Sequence, residues 1–189
     1  MENLLLDHFK VGMRFSEYET HFEQEAGQED PEDKLAYFSK LNWSRHQRVF
    51  KKTELHHDFA QFKSNLNAII ITESWCGDAA QSVPVLASIC QAANVDLRFI
   101  LRDTHSDLID NYLTNGGKSI PILIIFDETG AEKMVWGPRP ADAQEKVEAY
   151  KLDDSISYED LQKDLQKWYN TNKSVDIQNE VYARMVEHL

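Results

Sequence analysis

The chain has 189 residues, a hydrophobic content of 42% and a formal net charge of −12 at pH 7. A chain of this size buries one substantial core with helical appendages, so we expect one domain. Its acidic average surface would repel a phosphate backbone, which argues against a nucleic-acid partner.

The N-terminal sequence lacks a basic region, a long apolar core and a small-residue cleavage site, and no segment approaches membrane-spanning length. Two unpaired cysteines suit a reducing compartment. We therefore expect a cytoplasmic protein without a membrane partner, although a chain trimmed of a signal peptide would look the same.

The first sixty residues have a helical pattern. Phe15, Tyr18 and Phe22 share one stripe, and Asp30–Asp33 (Asp-Pro-Glu-Asp) predicts a helix start. A basic run follows and is interpreted either as a solvated helix face or as a surface for an acidic partner or anionic ligand. This run contains Arg45, His46, Arg48, Lys51 and Lys52.

The segment from Ala68 to Thr72 is a short β-branched run that predicts a buried strand. The following helix has an apolar stripe at spacings of three and four. Its members are Ala79, Val83, Leu86, Cys90 and Ala93. Cys76 therefore falls at a strand-to-helix junction.

A helix N-terminus favours a thiolate, which makes Cys76 a candidate nucleophile. Asp78 opposes this effect because a nearby negative charge raises a thiol pKa, so the sequence leaves the net reactivity open. Fourteen helical residues separate Cys76 from Cys90 by roughly 21 Å, too far for a disulfide. Cys90 is interpreted as a small buried hydrophobic residue.

Further along, Val95 to Leu101 predicts a strand, Ser106 to Asn115 a helix, and Ser119 to Phe126 a third strand. Pro121 marks the beginning of the third strand, where an X-Pro bond can be cis. The sequence Asp127 to Gly130 predicts a hairpin turn into an antiparallel strand at Glu132 to Trp136, which Gly137-Pro138 ends.

The C-terminal part is predicted to be helical over Ala141 to Lys151, Tyr158 to Tyr169 and Asp176 to Leu189. The last segment has an apolar stripe that either packs on the core or forms a dimer contact. We therefore expect a monomer or a homodimer.

Four landmarks in order resemble the thioredoxin superfamily, specifically its bacterial thioredoxin-like group with an added N-terminal helical segment. Trp75-Cys76-Gly77 matches the start of the WCGPC motif, and Pro84 matches the proline of the following helix. Ile120-Pro121 matches the cis-proline element, and Gly137 matches the glycine of the last hairpin strand. The resemblance covers roughly residues 60 to 170.

The resemblance implies an α/β fold with a central mixed sheet of about four to five strands flanked by helices. Residues 1–58 would form an N-terminal helical extension packed on the core, and residues 59–189 a thioredoxin-like domain with a C-terminal helical tail. Three positions depart from the family pattern. Ala79 replaces the resolving cysteine, Asp78 replaces the motif's proline, and Ile70 stands where thioredoxins carry a buried acidic residue.

The predicted site lies beyond the carboxyl ends of the parallel strands. Catalytic roles are predicted for Cys76 as nucleophile and for Asp78 as a proton relay or helix cap. Arg102 or His105 would stabilise a thiolate or hold an anionic thiol substrate, unless these are solvated loop charges. The predicted substrate-binding set is Trp75, Gly77, Ala79, Arg102, His105, Ile120, Pro121 and Gly137, with Arg139 at the same rim.

These residues support two main hypotheses. The first is monothiol thiol-disulfide exchange, in which Cys76 forms a mixed disulfide that an external thiol resolves. The second is a redox-silent module that uses the cis-proline groove to recognise protein. A third hypothesis, an isomerase or hydrolase, requires a Cys76–His105 pair. We expect a protein or small-thiol disulfide as substrate, neither a metal nor a resident cofactor, and, for the exchange hypothesis, a low-molecular-weight thiol as co-substrate.

Overall fold

The strands form one mixed sheet in the computed structural model, which describes residues 3–28, 34–62 and 65–189. The strands are β1 (Leu66–Thr72), β2 (Asp96–Leu101), β3 (Ile122–Asp127) and β4 (Glu132–Trp136). Their order is β2-β1-β3-β4, with β2 parallel to β1 and with β3 antiparallel to both β1 and β4. Every residue of β1 except Asn67 is buried, so both faces of this strand are covered. The predicted α/β fold with a mixed sheet of about four to five strands is confirmed, and the described residues form four strands.

Helices flank this sheet and occupy most of the remaining chain. They are α1 (Leu4–Val11), α2 (Phe15–Ala26), α3 (Lys34–Lys52), α4 (Gly77–Ala92), α5 (Ser106–Ile109), α6 (Ala141–Lys151), α7 (Tyr158–Asn172) and α8 (Val175–His188), with a short 3-10 helix at Phe59–Phe62. Within the described ranges, none of these helices has the length and hydropathy needed to cross a membrane.

The stripe predicted for α4 lies in the core. Its five members are all buried, as is Pro84 inside the helix. This packing fixes the helix against the sheet. The first residue of the helix, Gly77, comes directly after the short loop that follows β1.

The N-terminal helices contribute to the same core as the sheet. Tyr18 stacks on Phe99 of β2 with ring centroids 4.5 Å apart, and Phe22 is also buried. Helix α3 packs on α4. The division of the chain at residues 58 and 59 stays a prediction, and the helix start predicted at Asp30–Asp33 lies outside the described residues.

The basic run on α3 is not a uniform solvated face. His46 has no exposed surface and is surrounded by aromatic rings, including Trp43 stacked at 5.8 Å and Phe22 at 5.4 Å. Burial lowers its pKa to about 4, so the ring is neutral at pH 7. Lys51 and Lys52 are exposed.

The helix predicted from Ser106 to Asn115 is much shorter than expected. It ends at Ile109, and the chain then turns so that Thr114 and Gly117 exchange two backbone hydrogen bonds of 2.9 Å. Asn115 at φ 51° and Gly116 at φ 77° make this turn with a left-handed backbone. The third strand also begins later than predicted, at Ile122, because the Ile120–Pro121 segment precedes it as a loop.

A buried glutamine connects the C-terminal helix to the loop after α3. Gln178 accepts a hydrogen bond from the His56 backbone N–H at 2.8 Å and donates one to the Glu54 carbonyl at 3.0 Å. Helix α8 also buries Ile177 and Val181 against α4 and β4. Core packing, one of the two alternatives for this segment, is therefore what the chain adopts.

Candidate functional site

Cys76 is the N-cap residue of α4 and ends the loop that follows β1, residues 73–76, which we call the cysteine loop. It contacts the segment Ile120–Pro121, which we call the cis-proline loop. Its Sγ accepts from the Ala79 backbone N–H at 3.4 Å and donates to the Ile120 carbonyl oxygen at 3.4 Å. The residue is only 8% exposed. The sulfur is therefore held between two backbone groups at the carboxyl end of β1.

The thiol form of Cys76 is strongly favoured over the thiolate. Burial, and next the negative charge of Asp78, raise the pKa of Cys76 to about 12. The Ala79 N–H and the positive charge of Arg139 act in the opposite direction but are weaker. The opposing effects that the sequence left open thus resolve toward a protonated sulfur at pH 7.

Asp78 is committed to a buried ion pair. Its Oδ2 accepts from Arg139 Nε at 2.8 Å and Nη2 at 2.7 Å, and the two side chains are 11% and 15% exposed. Tyr169 donates its hydroxyl to Asp78 Oδ1 at 2.9 Å. Both carboxylate oxygens accept from these partners, so Asp78 is held in place by Arg139 and Tyr169, and its role as a proton relay or helix cap stays a prediction. Tyr169 was missed from the sequence because it shares the buried face of α7 with Leu161 and Leu165, a pattern that indicates packing.

The cis-proline loop is packed against Gly137. The Ile120–Pro121 and Gly137–Pro138 peptide bonds are both cis. Gly137 has φ +125°, and a Cβ at this position would lie 2.2 Å from the Pro121 carbonyl oxygen. Only glycine fits this contact.

Arg102, the first residue after β2, and Trp75 cover one side of the site. The Arg102 guanidinium lies 4.6 Å from the centroid of a Trp75 ring, and it also pairs with Asp103 at 2.6 Å. Its Nη1 donates to the Lys118 carbonyl at 3.1 Å. Arg102 is thus bound to the walls of the site rather than to the Cys76 sulfur.

Glu73, the first residue after β1, is a buried acid that sequence reasoning missed. Its Oε1 accepts from the Asp103 backbone N–H at 2.7 Å. Burial raises its pKa to about 7. The only signal in the sequence was the position of Glu73, a carboxylate that directly follows a buried strand and lies three residues before Cys76.

Helix α3 is attached to the cysteine loop by side chains that were also missed. The hydroxyls of Ser39 and Ser74 lie 2.9 Å apart, and Asn42 Nδ2 donates to the Ser74 carbonyl at 3.3 Å. Asn42 Oδ1 in turn accepts from Arg45 Nη1 at 2.9 Å. A member of the basic run, Arg45, is therefore held at the candidate site.

A cleft of about 740 Å³ opens above Cys76 between α3 on one side and α6 and α7 on the other. Of the residues predicted for the site, the cleft is lined by Trp75, Cys76, Gly77, Asp78, Arg102, Ile120 and Arg139. Ala79, Pro121 and Gly137 do not line it.

The structure does not bring His105 into the cleft. Its Nδ1 lies 3.0 Å from the Leu101 carbonyl, and its ring contacts that of His8 at 5.5 Å. The backbone enters α5 at this residue, which turns the side chain toward α1. A Cys76–His105 pair has no support in this geometry. Within the described ranges, no group of three or more His, Cys, Asp or Glu side chains is arranged to hold a metal ion.

Comparisons with known proteins agree with this architecture. The crystal structure of an HIV epitope-scaffold is similar over 97% of this chain and 98% of its own, with a TM-score of 0.63 and 15% identity. A protein of unknown function from Pseudomonas aeruginosa is similar over 87% of this chain and 95% of its own, with a TM-score of 0.55 and 16% identity. These identities show a shared fold alone. A search of curated proteins found no match.

A family model described as thioredoxin matches residues 28–151, more than half of the chain. This range includes α3, all the strands described above, the cysteine loop and the cis-proline loop. The chain therefore belongs to the thioredoxin family.

Proposed function

We propose that this protein is a redox-silent binding module of the thioredoxin family, whose ligand occupies the cleft above Cys76. The observation that carries the proposal is the position of the sulfur, which is buried and hydrogen-bonded to the Ile120 carbonyl, and this burial raises the pKa of Cys76. A thiol in this state is a poor nucleophile because the thiolate is the reactive form.

Two further features support binding rather than exchange. The chain has Ala79 where a resolving cysteine would be needed, and Asp78 is engaged by Arg139 and Tyr169. The cleft itself has the volume of small-molecule sites, which span roughly 300–1,000 Å³.

The test is the pH dependence of iodoacetamide alkylation at Cys76, measured by intact mass. Cys90→Ala removes the second thiol, and Cys76→Ser identifies the reacting site. We expect negligible modification of the folded protein at neutral pH and rapid modification after unfolding in urea, which shows that the thiol is chemically competent. Ready alkylation of the folded protein, or a removable glutathione adduct after exposure to glutathione disulfide, would contradict the proposal.

Monothiol exchange is the second candidate, and one observation favours it. Cys76 lines an open cleft, while the Ala79 N–H and Arg139 both act to lower its pKa. In this reaction the Cys76 thiolate would attack a substrate disulfide, and one substrate sulfur would leave as a thiolate. An external thiolate would then attack the mixed disulfide, form a new disulfide with the bound substrate sulfur and release Cys76 as a thiolate. The glutathione adduct named above is its signature.

A further inference from the structure

The cleft concentrates positive charge in a protein whose net charge is −12. Cations from α3, α6 and three loops line it, and only two carboxylates, those of Asp78 and Asp103, lie among the described lining residues. The cations are Arg45, Arg102, Lys118, Arg139 and Lys151. A local excess of one sign inside an acidic molecule favours an anionic ligand.

Four of these cations already have carboxylate partners. The pairs are Arg102 with Asp103, Lys118 with Asp110, Arg139 with Asp78, and Lys151 with Glu148. Arg45 differs from them, because among the described residues its guanidinium bonds only the neutral Asn42 amide. Its charge is therefore available to a ligand.

Arg45 is oriented toward the floor of the cleft. Asn42 is 1% exposed and is itself held by the Ser74 carbonyl, so the Asn42 side chain fixes the guanidinium. A Cβ added to Gly77 would lie 3.8 Å from Arg45 Nη1 and 3.5 Å from Gln166 Nε2. Two N–H donor groups thus lie beside Gly77, within the cleft. Burial and the neighbouring Arg48 lower the pKa of Arg45. An anion bound beside the guanidinium would oppose this shift by stabilising the charged form.

Apolar side chains from two helices also line the cleft beyond this point. Helix α3 presents Phe38 and Leu41, and helix α7 presents Leu161 and Leu165. The Ile120 carbonyl, a group that could pair with an added peptide strand, instead accepts from Cys76. A compact ligand suits this arrangement better than an extended strand.

We propose that the cleft binds a small organic carboxylate with an apolar body, the carboxylate pairing with Arg45 beside Gly77 and the body lying between α3 and α7. This assignment rests on the proposed binding function and names its ligand class. The ionised carboxylate gives Arg45 the charged partner that it lacks.

The experiment is calorimetric titration of the full chain with 4-phenylbutyrate and with its neutral amide. We expect the carboxylate to bind at least about tenfold more tightly than the amide. Arg45→Gln should abolish this preference and Arg45→Lys should retain part of it. Arg48→Gln is the matched control, because Arg48 lies one turn along α3 and bonds Asn170. Thermal unfolding of each variant establishes that it is folded.

Equal affinity for the acid and the amide, no binding of either, or an equal loss in Arg48→Gln would overturn the assignment. Binding of an acidic peptide without binding of 4-phenylbutyrate would also overturn it and would indicate a protein partner. The probe contains no sulfur and cannot exchange with Cys76. A reactive Cys76 therefore contradicts the proposed function separately from this titration.

Discussion

The ion pair between Asp78 and Arg139 gives the sharpest test of the site. Asp78→Asn preserves the shape of the side chain but removes its charge, which leaves a guanidinium that is 15% exposed without its counter-ion. Breaking a buried pair in this way costs about 3–5 kcal/mol. Asparagine still offers one oxygen to Arg139 or Tyr169, so we expect a loss of about 2–4 kcal/mol in the free energy of unfolding.

The assay is urea unfolding followed by tryptophan fluorescence, with Asp78→Asn, Arg139→Gln and the double variant compared as a cycle. The double variant should lose less than the sum of the two single variants, because it leaves no isolated charge in the site. The exposed pair Glu159–Lys163 on α7 supplies the control, and Glu159→Gln should produce no measurable change.

The same variant has a second readout at Cys76. The Asp78 carboxylate is one of the causes that raise the Cys76 pKa, and Arg139 acts against it. Asp78→Asn should therefore lower this pKa and speed alkylation at a fixed alkaline pH. Unchanged stability together with an unchanged alkylation rate would refute the assignment of Asp78 to a buried ion pair beside the sulfur.

Four further predictions concern the site and the core around it. Gly137→Ala should lower the free energy of unfolding by about 3 kcal/mol or more, because its methyl group would meet the Pro121 carbonyl; a thermal midpoint within about 2 °C of wild type would contradict this. Glu73 holds its proton longer in the folded state, with a pKa of about 7 against an ordinary 4.5, so it destabilises the fold as pH rises through that interval. Glu73→Gln should be more stable than wild type near about pH 8, and urea midpoints that show no gain would count against this. His46 has the opposite pH dependence. Because burial lowers its pKa from 6.5 to about 4, the free energy of unfolding decreases as pH falls through that interval. His46→Gln should reduce this decrease in urea unfolding measured over the same pH range. Cys90→Ala should cost only about 1 kcal/mol, since it removes one buried sulfur, and a loss beyond ~3 kcal/mol in urea unfolding would require a role besides packing.

The parts of the fold that could be predicted are the elements that are specified by the residue pattern of one continuous segment. The β-branched run of β1, the apolar stripe of α4 and the Asp127–Gly130 turn each follow from local spacing. The strand Glu132–Trp136 has the bounds that were predicted. Cys76 was placed at the strand-to-helix junction for the same reason, because both flanking elements are strongly patterned.

The rest depends on contacts between distant segments. The sequence left the basic run with Arg45 open between a solvated helix face and a surface for an acidic partner or anionic ligand, and only the contacts through Asn42 to Ser74 place Arg45 at the cleft. The sign of the Cys76 pKa shift required the degree of burial, which no sequence spacing gives. The early end of α5 at Ile109 and the left-handed turn at Thr114–Gly117 likewise depart from the local helical pattern.

The hydrogen bonds of Gln178 give the chain an internal reporter of its own opening. The His56 amide is protected only while α8 stays docked, because its acceptor is the Gln178 side chain 122 positions further along the sequence. Exchange of this amide with deuterium therefore measures detachment of the C-terminal helix, rather than fraying of the loop in which His56 lies.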